Sequence, residues 1–358
     1  MRIFQSGWVF IFALSLTFEA RADPMPNVIL VTLDGVRWRE VFHGTDPSLD
    51  GGTMAQGGIR QNILFKNLLD EATRAGYIGG DREPTSGPPV PLNISNPYAF
   101  SLPGYQSIFG GYSPIFTVNN HFGRILCETF PERLVRELLW KKKDVASFAS
   151  WEVMPHAIES KMGETFVNAG LDISPFSDEE TLQLNREQAL FTPLWKEGRL
   201  DRYTWAHALR YLKKERPRFL FIGLGDSDGW SHLGRYRSYI KTLQQYDQWI
   251  GDLFQLLREL GEYGRATTVL ITTDHGRGPS YTRWPSLTGD WRDHGWTHSE
   301  SRQIWFYGKK MSSLKQGTPK SKNIHLDLRP TIEKIFTLPE RTTCRFMGRG
   351  EVIQDLID

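Results

Sequence analysis

Cysteine is scarce in this chain: Cys127 and Cys344 are the only two in 358 residues. That excludes a small scaffold held together by disulfides, and it excludes a thiolate-rich metal cluster. A single Cys127–Cys344 bridge or two separate buried thiols both remain open. Neither sign of charge is in surplus, with 43 Lys+Arg against 41 Asp+Glu and a net charge of +2. Nucleic-acid binding and docking on an acidic membrane surface are therefore not implied. Long apolar runs are also lacking. Beyond residue 18 nothing approaches the roughly 20 apolar residues that a spanning helix needs, so no membrane span is expected in the mature chain. There are no internal repeats.

What is present suits a globular protein with a large interior. Hydrophobic residues make up 39% and charged residues 23%, with 12 Trp, 12 Tyr and 21 Phe. The N-terminus has the grammar of an export signal: Arg2, a short apolar run from Trp8 to Phe18, then the small-x-small pattern Ala20-Arg21-Ala22. This predicts a signal peptide over 1–22, a mature start at Asp23 and a periplasmic or secreted protein. Residues 23–358 are expected to form one domain.

Short apolar runs alternate with helical periodicity. Asn27–Leu33, Val145–Ser150, Phe219–Leu224, Thr268–Thr273 and Ile304–Tyr307 read as strands. Helices are expected over Ile59–Ala75, Pro131–Lys141, Leu200–Lys214 and Leu326–Phe336. A long one starts near Tyr236, with Tyr239, Ile240, Leu243, Ile250, Leu253, Phe254 and Leu257 on one face. Residues 152–200 read as peripheral helices and loops. Segments 44–58, 79–97 and 276–300 read as loops, and these together with 152–200 would carry specificity. The alternation predicts an α/β fold, a mostly parallel central sheet flanked by helices.

Three of the strands run into acidic residues: Asp34, then Asp226 and Asp228, then Asp274. Ligands in such folds bind at the carboxyl ends of the strands. His232 stands four residues after Asp228, on the same face if that stretch is helical. His275 follows Asp274 directly, and His294 and His298 lie in the next loop. Carboxylates mixed with imidazoles form a borderline donor set, sufficient for two divalent ions, with zinc favoured and manganese or iron allowed. Ser101 precedes Leu102-Pro103, and Pro103 suits the first turn of a helix. The hydroxyl would then sit at a helix N-terminus, which favours anions.

Taken in order, Asp34-Gly35, Ser101-Leu102-Pro103-Gly104-Tyr105, Asp228 with His232, Asp274-His275-Gly276 and a later histidine resemble the alkaline phosphatase superfamily. The likeness spans about residues 27–337 and is greatest to its type I phosphodiesterase/nucleotide pyrophosphatase branch. It implies an alkaline phosphatase-like fold and an enzyme, a metal-dependent hydrolase of small-molecule phosphate esters. The resemblance makes Ser101 the nucleophile, passing through a phosphoseryl intermediate. It groups Asp34, Ser101, Asp274 and His275 on one metal, and Asp228, His232 and a distal histidine on the other. Asp293-His294-Gly295 looks like the family's stretch at that point, which favours His294 over His298. Asn119 or Asn120 would contact the phosphoryl group, and Arg277 would either face substrate charge or serve the fold. Family diesterases often follow the nucleophile with Pro-Asn, whereas this chain has Pro103-Gly104, which leaves monoester against diester preference open. The alternatives are a sulfate or phosphonate ester hydrolase on the same scaffold, and a catalytically silent exported binding protein.

Overall fold

The computed structural model describes residues 25–50, 63–121, 123–280, 290–341, 344 and 348–357. The expected signal peptide, and parts of the 44–58 and 276–300 loops, lie outside the described residues.

Among the described residues ten strands are defined in chain order: β1 (Asn27–Leu33), β2 (Gly76–Gly79), β3 (Leu92–Asn93), β4 (Val145–Ala149), β5 (Phe166–Ala169), β6 (Phe219–Leu224), β7 (Thr267–Thr272), β8 (Gln303–Ile304), β9 (Phe306–Lys310) and β10 (Gln316–Gly317). Eight of them form one sheet in the order β10-β2-β9-β7-β1-β6-β4-β5, while β3 and β8 pair separately. From β7 to β5 all pairings are parallel, and β9 runs antiparallel to both β7 and β2. The sheet is thus mostly parallel, in line with the alternating pattern of the sequence.

β1 is buried at every position, as a parallel strand covered on both faces must be. Its side chains alternate between two cores. Ile29, Val31 and Leu33 face the layer containing the Tyr236–Glu259 and Asp201–Glu215 helices. Val28 and Leu30 face the layer of Ser101–Gly110, Phe130–Leu138 and Ile324–Ile335. The strand register decides where the chemistry falls. Thr32 pairs with Thr272 and Leu33 with Leu224, so Asp34, Asp274 and the turn after β6 leave the sheet side by side at one edge.

Several boundaries differ from the sequence reading. The helix expected over 59–75 occupies only Lys66–Arg74 among the described residues. Leu64 and Phe65 are buried without being helical, so their apolar pattern reports burial rather than helix. Residues 152–200 contribute a strand after all, β5, at the sheet edge. The strand expected over 304–307 is split at Trp305, whose indole donates to the Val36 carbonyl at 3.0 Å. Cys127 and Cys344 form a disulfide, with Cα atoms 6.1 Å apart.

Candidate active site

Ser101 is the first residue of the Ser101–Gly110 helix, after Phe100 in extended conformation. The loop before it is held by Asn96, whose Oδ1 accepts the N–H groups of Tyr98 and Ala99. Ala99 sits in the left-handed region at φ 52°, an uncommon conformation for a residue with a Cβ. Gly104 allows the helix to settle against the end of β7. A Cβ there would lie 2.6 Å from the Asp274 carbonyl oxygen, which gives a steric reason for glycine at this position.

Asp228 and His232 lie on one short helix, Asp226–His232, that begins immediately after β6. Its first turn is anchored by Asp201, which accepts the N–H groups of Gly225 at 2.8 Å and Asp226 at 2.7 Å and the hydroxyls of Ser150 and Tyr246. Sequence reasoning did not single out Asp201, because it comes from the start of a separate helix.

The carboxylates share a pattern. One oxygen of Asp34 accepts from Tyr105 Oη at 3.1 Å, and one oxygen of Asp274 accepts from the Gly35 N–H at 3.1 Å. The remaining oxygens, Asp34 Oδ1 and Asp274 Oδ2, are buried with no hydrogen-bond partner. Each faces His275 Nε2, at 3.4 Å and 3.3 Å, and Ser101 Oγ lies 3.2 Å from the same nitrogen. Donors bound tetrahedrally at about 2.0–2.1 Å from zinc lie about 3.3–3.4 Å from one another. Two orphaned oxygens and a ring nitrogen at that spacing fit a divalent cation.

The histidines are fixed in one sense. His275 Nδ1 is 2.7 Å from the Gly276 carbonyl, His294 Nδ1 is 3.0 Å from the Ala99 carbonyl, and His232 Nδ1 is 3.1 Å from Asp293 Oδ1. An acceptor on Nδ1 places the proton there and leaves the Nε2 lone pair for a metal. His232 Nε2 lies 3.1 Å from Asp228 Oδ2 and 3.2 Å from His294 Nε2, and His294 Nε2 lies 3.7 Å from Asp228 Oδ1. The His275 and His294 rings stack with centroids 3.8 Å apart. Two candidate metal groups therefore adjoin, Asp34–Asp274–His275 and Asp228–His275–His294, with His232 beside the second.

Electrostatics point the same way. Burial pushes Asp274 up to about 7. Burial, then the neighbouring Asp274 and Asp228, hold Asp34 well above the usual carboxylate range. Burial pushes His275 down to about 3 and holds His294 well below its ordinary value. Burial also works to raise Asp228, but His232 and Arg277 outweigh it and hold that carboxyl low. Asp228 in turn raises His232. Asp34, Asp274, His275 and His294, which resist charging in this setting, suit a cation placed between them, whereas Asp228 and His232 favour their charged forms as a pair.

The structure brings together Asp34, Ser101, Asp228, His232, Asp274, His275 and His294. His298 stays outside the cluster, with Nδ1 3.1 Å from the Thr297 hydroxyl. Of the two asparagines, Asn120 Oδ1 accepts the Leu102 N–H at 3.0 Å, whereas Asn119 caps the exposed His121 N–H. Arg277 faces the ligands rather than solvent and is bonded to Asp228. The helix N-terminus offers few free donors for an anion: Asn120 takes the Leu102 N–H, Pro103 has none, and Gly104 bonds Phe100. Tyr105 stands in the motif around Ser101 but the sequence reading gives it no role, although its spacing of four from Ser101 puts both on one helix face. Tyr105→Phe keeps the buried ring and removes the group holding Asp34. It is expected to weaken zinc binding about 10- to 100-fold, measured by competition with a chromogenic chelator. Unchanged affinity would show that Tyr105 does not orient Asp34.

The mostly parallel sheet, with the Asp/His cluster at the carboxyl ends of its strands, is an alkaline phosphatase-like fold. Solved structures share it: a putative sulfatase from Bacteroides thetaiotaomicron (15% identity, TM-score 0.56, 93% of this chain and 75% of that one), a protein in the alkaline phosphatase superfamily from Vibrio parahaemolyticus (12%, 0.51, 88% and 67%) and a lipoteichoic acid synthase from Listeria monocytogenes (13%, 0.50, 91% and 76%). At such identities the likeness is one of fold. No curated protein matches the chain by sequence. The profile described as type I phosphodiesterase / nucleotide pyrophosphatase matches residues 129–334, more than half the chain. The chain belongs to that family. The matched span contains Asp228, His232, Asp274, His275 and His294 and begins after Asp34 and Ser101.

Proposed function

We propose that this protein is an exported di-metal hydrolase of phosphate esters that acts through Ser101 and a phosphoseryl intermediate. The observation that carries the reading is the pair of orphaned carboxylate oxygens, Asp34 Oδ1 and Asp274 Oδ2, facing one imidazole nitrogen beside the Ser101 hydroxyl. Asp34, Ser101, Asp274 and His275 would hold one ion, and Asp228, His232 and His294 the other. When bound, two divalent cations, zinc by preference for this donor set, lower the pKa of the serine hydroxyl and neutralise charge on the phosphoryl and leaving oxygens.

The chain's own residues supply position. The Ser101–Gly110 helix holds Oγ where it can form the Ser–O–P bond as the bond from phosphorus to the leaving oxygen breaks. Water then cleaves the phosphoseryl ester and frees Ser101. Asn120 uses its Oδ1 on the Leu102 N–H, which orients its amide donors for a phosphoryl oxygen next to Ser101. His232 has a side chain 39% exposed, against 4% for His294, so the leaving group departs on the His232 side. The Cys127–Cys344 disulfide supports an oxidising compartment, periplasmic or extracellular. Among the described residues no helix is long and apolar enough to cross a membrane.

The test is turnover of p-nitrophenyl phosphate, bis-p-nitrophenyl phosphate and p-nitrophenyl sulfate side by side in the presence of zinc. Hydrolysis of a phosphate ester in preference to the sulfate is expected. Preference for the sulfate would move the protein to the sulfatase alternative, and no turnover of any ester would support the silent binding protein.

A further inference from the structure

Arg277 is the buried cation that the proposed chemistry leaves unused. Its side chain is fully enclosed and every arm is committed. Nε donates to the Trp291 carbonyl at 2.7 Å, Nη2 to the Arg292 carbonyl at 2.6 Å, and Nη1 to Asp228 Oδ1. Reaching toward substrate would break its two bonds to backbone carbonyls. The fold also makes room for it: a Cβ on Gly35, which has φ 61°, would collide with Nη1.

Consequently the two ligand groups differ in charge. The Asp34–Asp274–His275 group brings two carboxylates whose other oxygens are held by neutral donors, a tyrosine hydroxyl and a backbone N–H. The Asp228–His232–His294 group brings one carboxylate, and a guanidinium already neutralises it. A fixed positive charge bonded to one oxygen of a carboxylate lowers the affinity of the other oxygen for a dication and repels the ion itself. Donor type does not offset this, because imidazoles are neutral when they bind.

On the di-metal reading above, we infer that Arg277 makes the two metal positions unequal. The position formed by Asp34, Ser101, Asp274 and His275 fills first and tightly. The position formed by Asp228, His232 and His294 fills second and exchanges with the surroundings. Occupancy of the second position, and with it turnover, then follows the free zinc concentration outside the cell membrane rather than being fixed when the protein folds.

The experiment is a calorimetric titration of the chelator-stripped protein with zinc alone, with zinc per chain counted after dialysis. The wild type is expected to bind two zinc ions in two steps separated by about tenfold or more. His294→Ala should remove the weaker step and Asp274→Asn the tighter one. Arg277→Gln should tighten the weaker step by about tenfold or more and leave the tighter one in place, while Arg277→Lys, which keeps the charge, should leave it weak. Two equal steps in the wild type would overturn the inference while leaving the di-metal reading intact. So would loss of the tighter step in His294→Ala, or a glutamine variant that binds the second ion no better. Should the glutamine variant fail to fold, Arg277→Met, which also removes the charge, takes its place with the same expected and overturning results. A protein that binds no zinc would overturn both readings.

Discussion

Ser101→Ala is expected to fold, to bind metal and to hydrolyse phosphate esters slower than the wild type by on the order of 10³-fold or more. The expected size of the loss follows from the surroundings of Ser101. Its hydroxyl is the one that stands at the ligand cluster, 3.2 Å from His275 Nε2. The other hydroxyls close by are engaged elsewhere: Tyr105 donates to Asp34, Thr273 to the His275 carbonyl and Ser227 to the Asp34 carbonyl. Each would have to give up that bond to act in its place. The fold should survive for an equally local reason. Ser101 is the first helical residue rather than the cap, and the preceding Phe100 makes no side-chain cap bond, so the alanine removes no capping interaction and has the higher helix propensity. A melting temperature within a few degrees of wild type, with zinc still bound and turnover lost, is the expected combination. An alanine variant that retained more than a few per cent of the rate would show that another group attacks phosphorus.

Much of this site could be read before the fold was known, and the reasons are specific. Asp34, Asp228 and Asp274 each follow a short apolar run, and strand ends in parallel sheets are where ligands collect. The spacing from Asp228 to His232 matches one helical turn, and the structure has a helix there. What could not be read was the second oxygen of each carboxylate. Tyr105, the Gly35 N–H and Arg277 determine which oxygen is free, and those contacts join residues separated by 71, 239 and 49 positions in the chain. Periodicity carries no information at that range. Periodicity could not choose between His294 and His298, which sit in one loop at the same helical phase, and the preference for His294 came from the resemblance of Asp293-His294-Gly295 alone. The Ala99 carbonyl, from a distant loop, is what turns His294 inward. Arg277 lies in a polar stretch of sequence, and only the fold encloses it. On the fold itself, the strand β5 escaped notice because four residues at a sheet edge leave too short an alternation to detect. The helix ahead of β2 was drawn too long because buried Leu64 and Phe65 extend its apolar stripe without extending its hydrogen bonds.

Exhaustive chelation is expected to abolish turnover, and zinc to restore it better than manganese or iron. The rival is a metal-free serine–histidine pair, and the geometry allows it to be stated sharply. His275 Nδ1 is bonded to the Gly276 carbonyl and Nε2 faces Ser101 Oγ, the arrangement of a general base beside a nucleophile. Two observations count against it. His275 Nε2 is shared, lying 3.4 Å from Asp34 Oδ1 and 3.3 Å from Asp274 Oδ2 as well as facing the serine. Burial also pushes this imidazole down to about 3, far from the near-neutral value that makes a base effective at neutral pH. An imidazole of that basicity gains little by taking the proton of a serine, whereas two orphaned carboxylate oxygens at zinc spacing leave a clear place for a cation. Protein stripped to less than a tenth of an equivalent of metal should therefore lose about 99% of its rate or more, the loss expected when a weak base has to replace metal activation. Recovery should track zinc added back, and the stripped Ser101→Ala protein should gain nothing from it. Full activity in the stripped wild type would end the di-metal reading and leave Ser101 with His275 as the working pair.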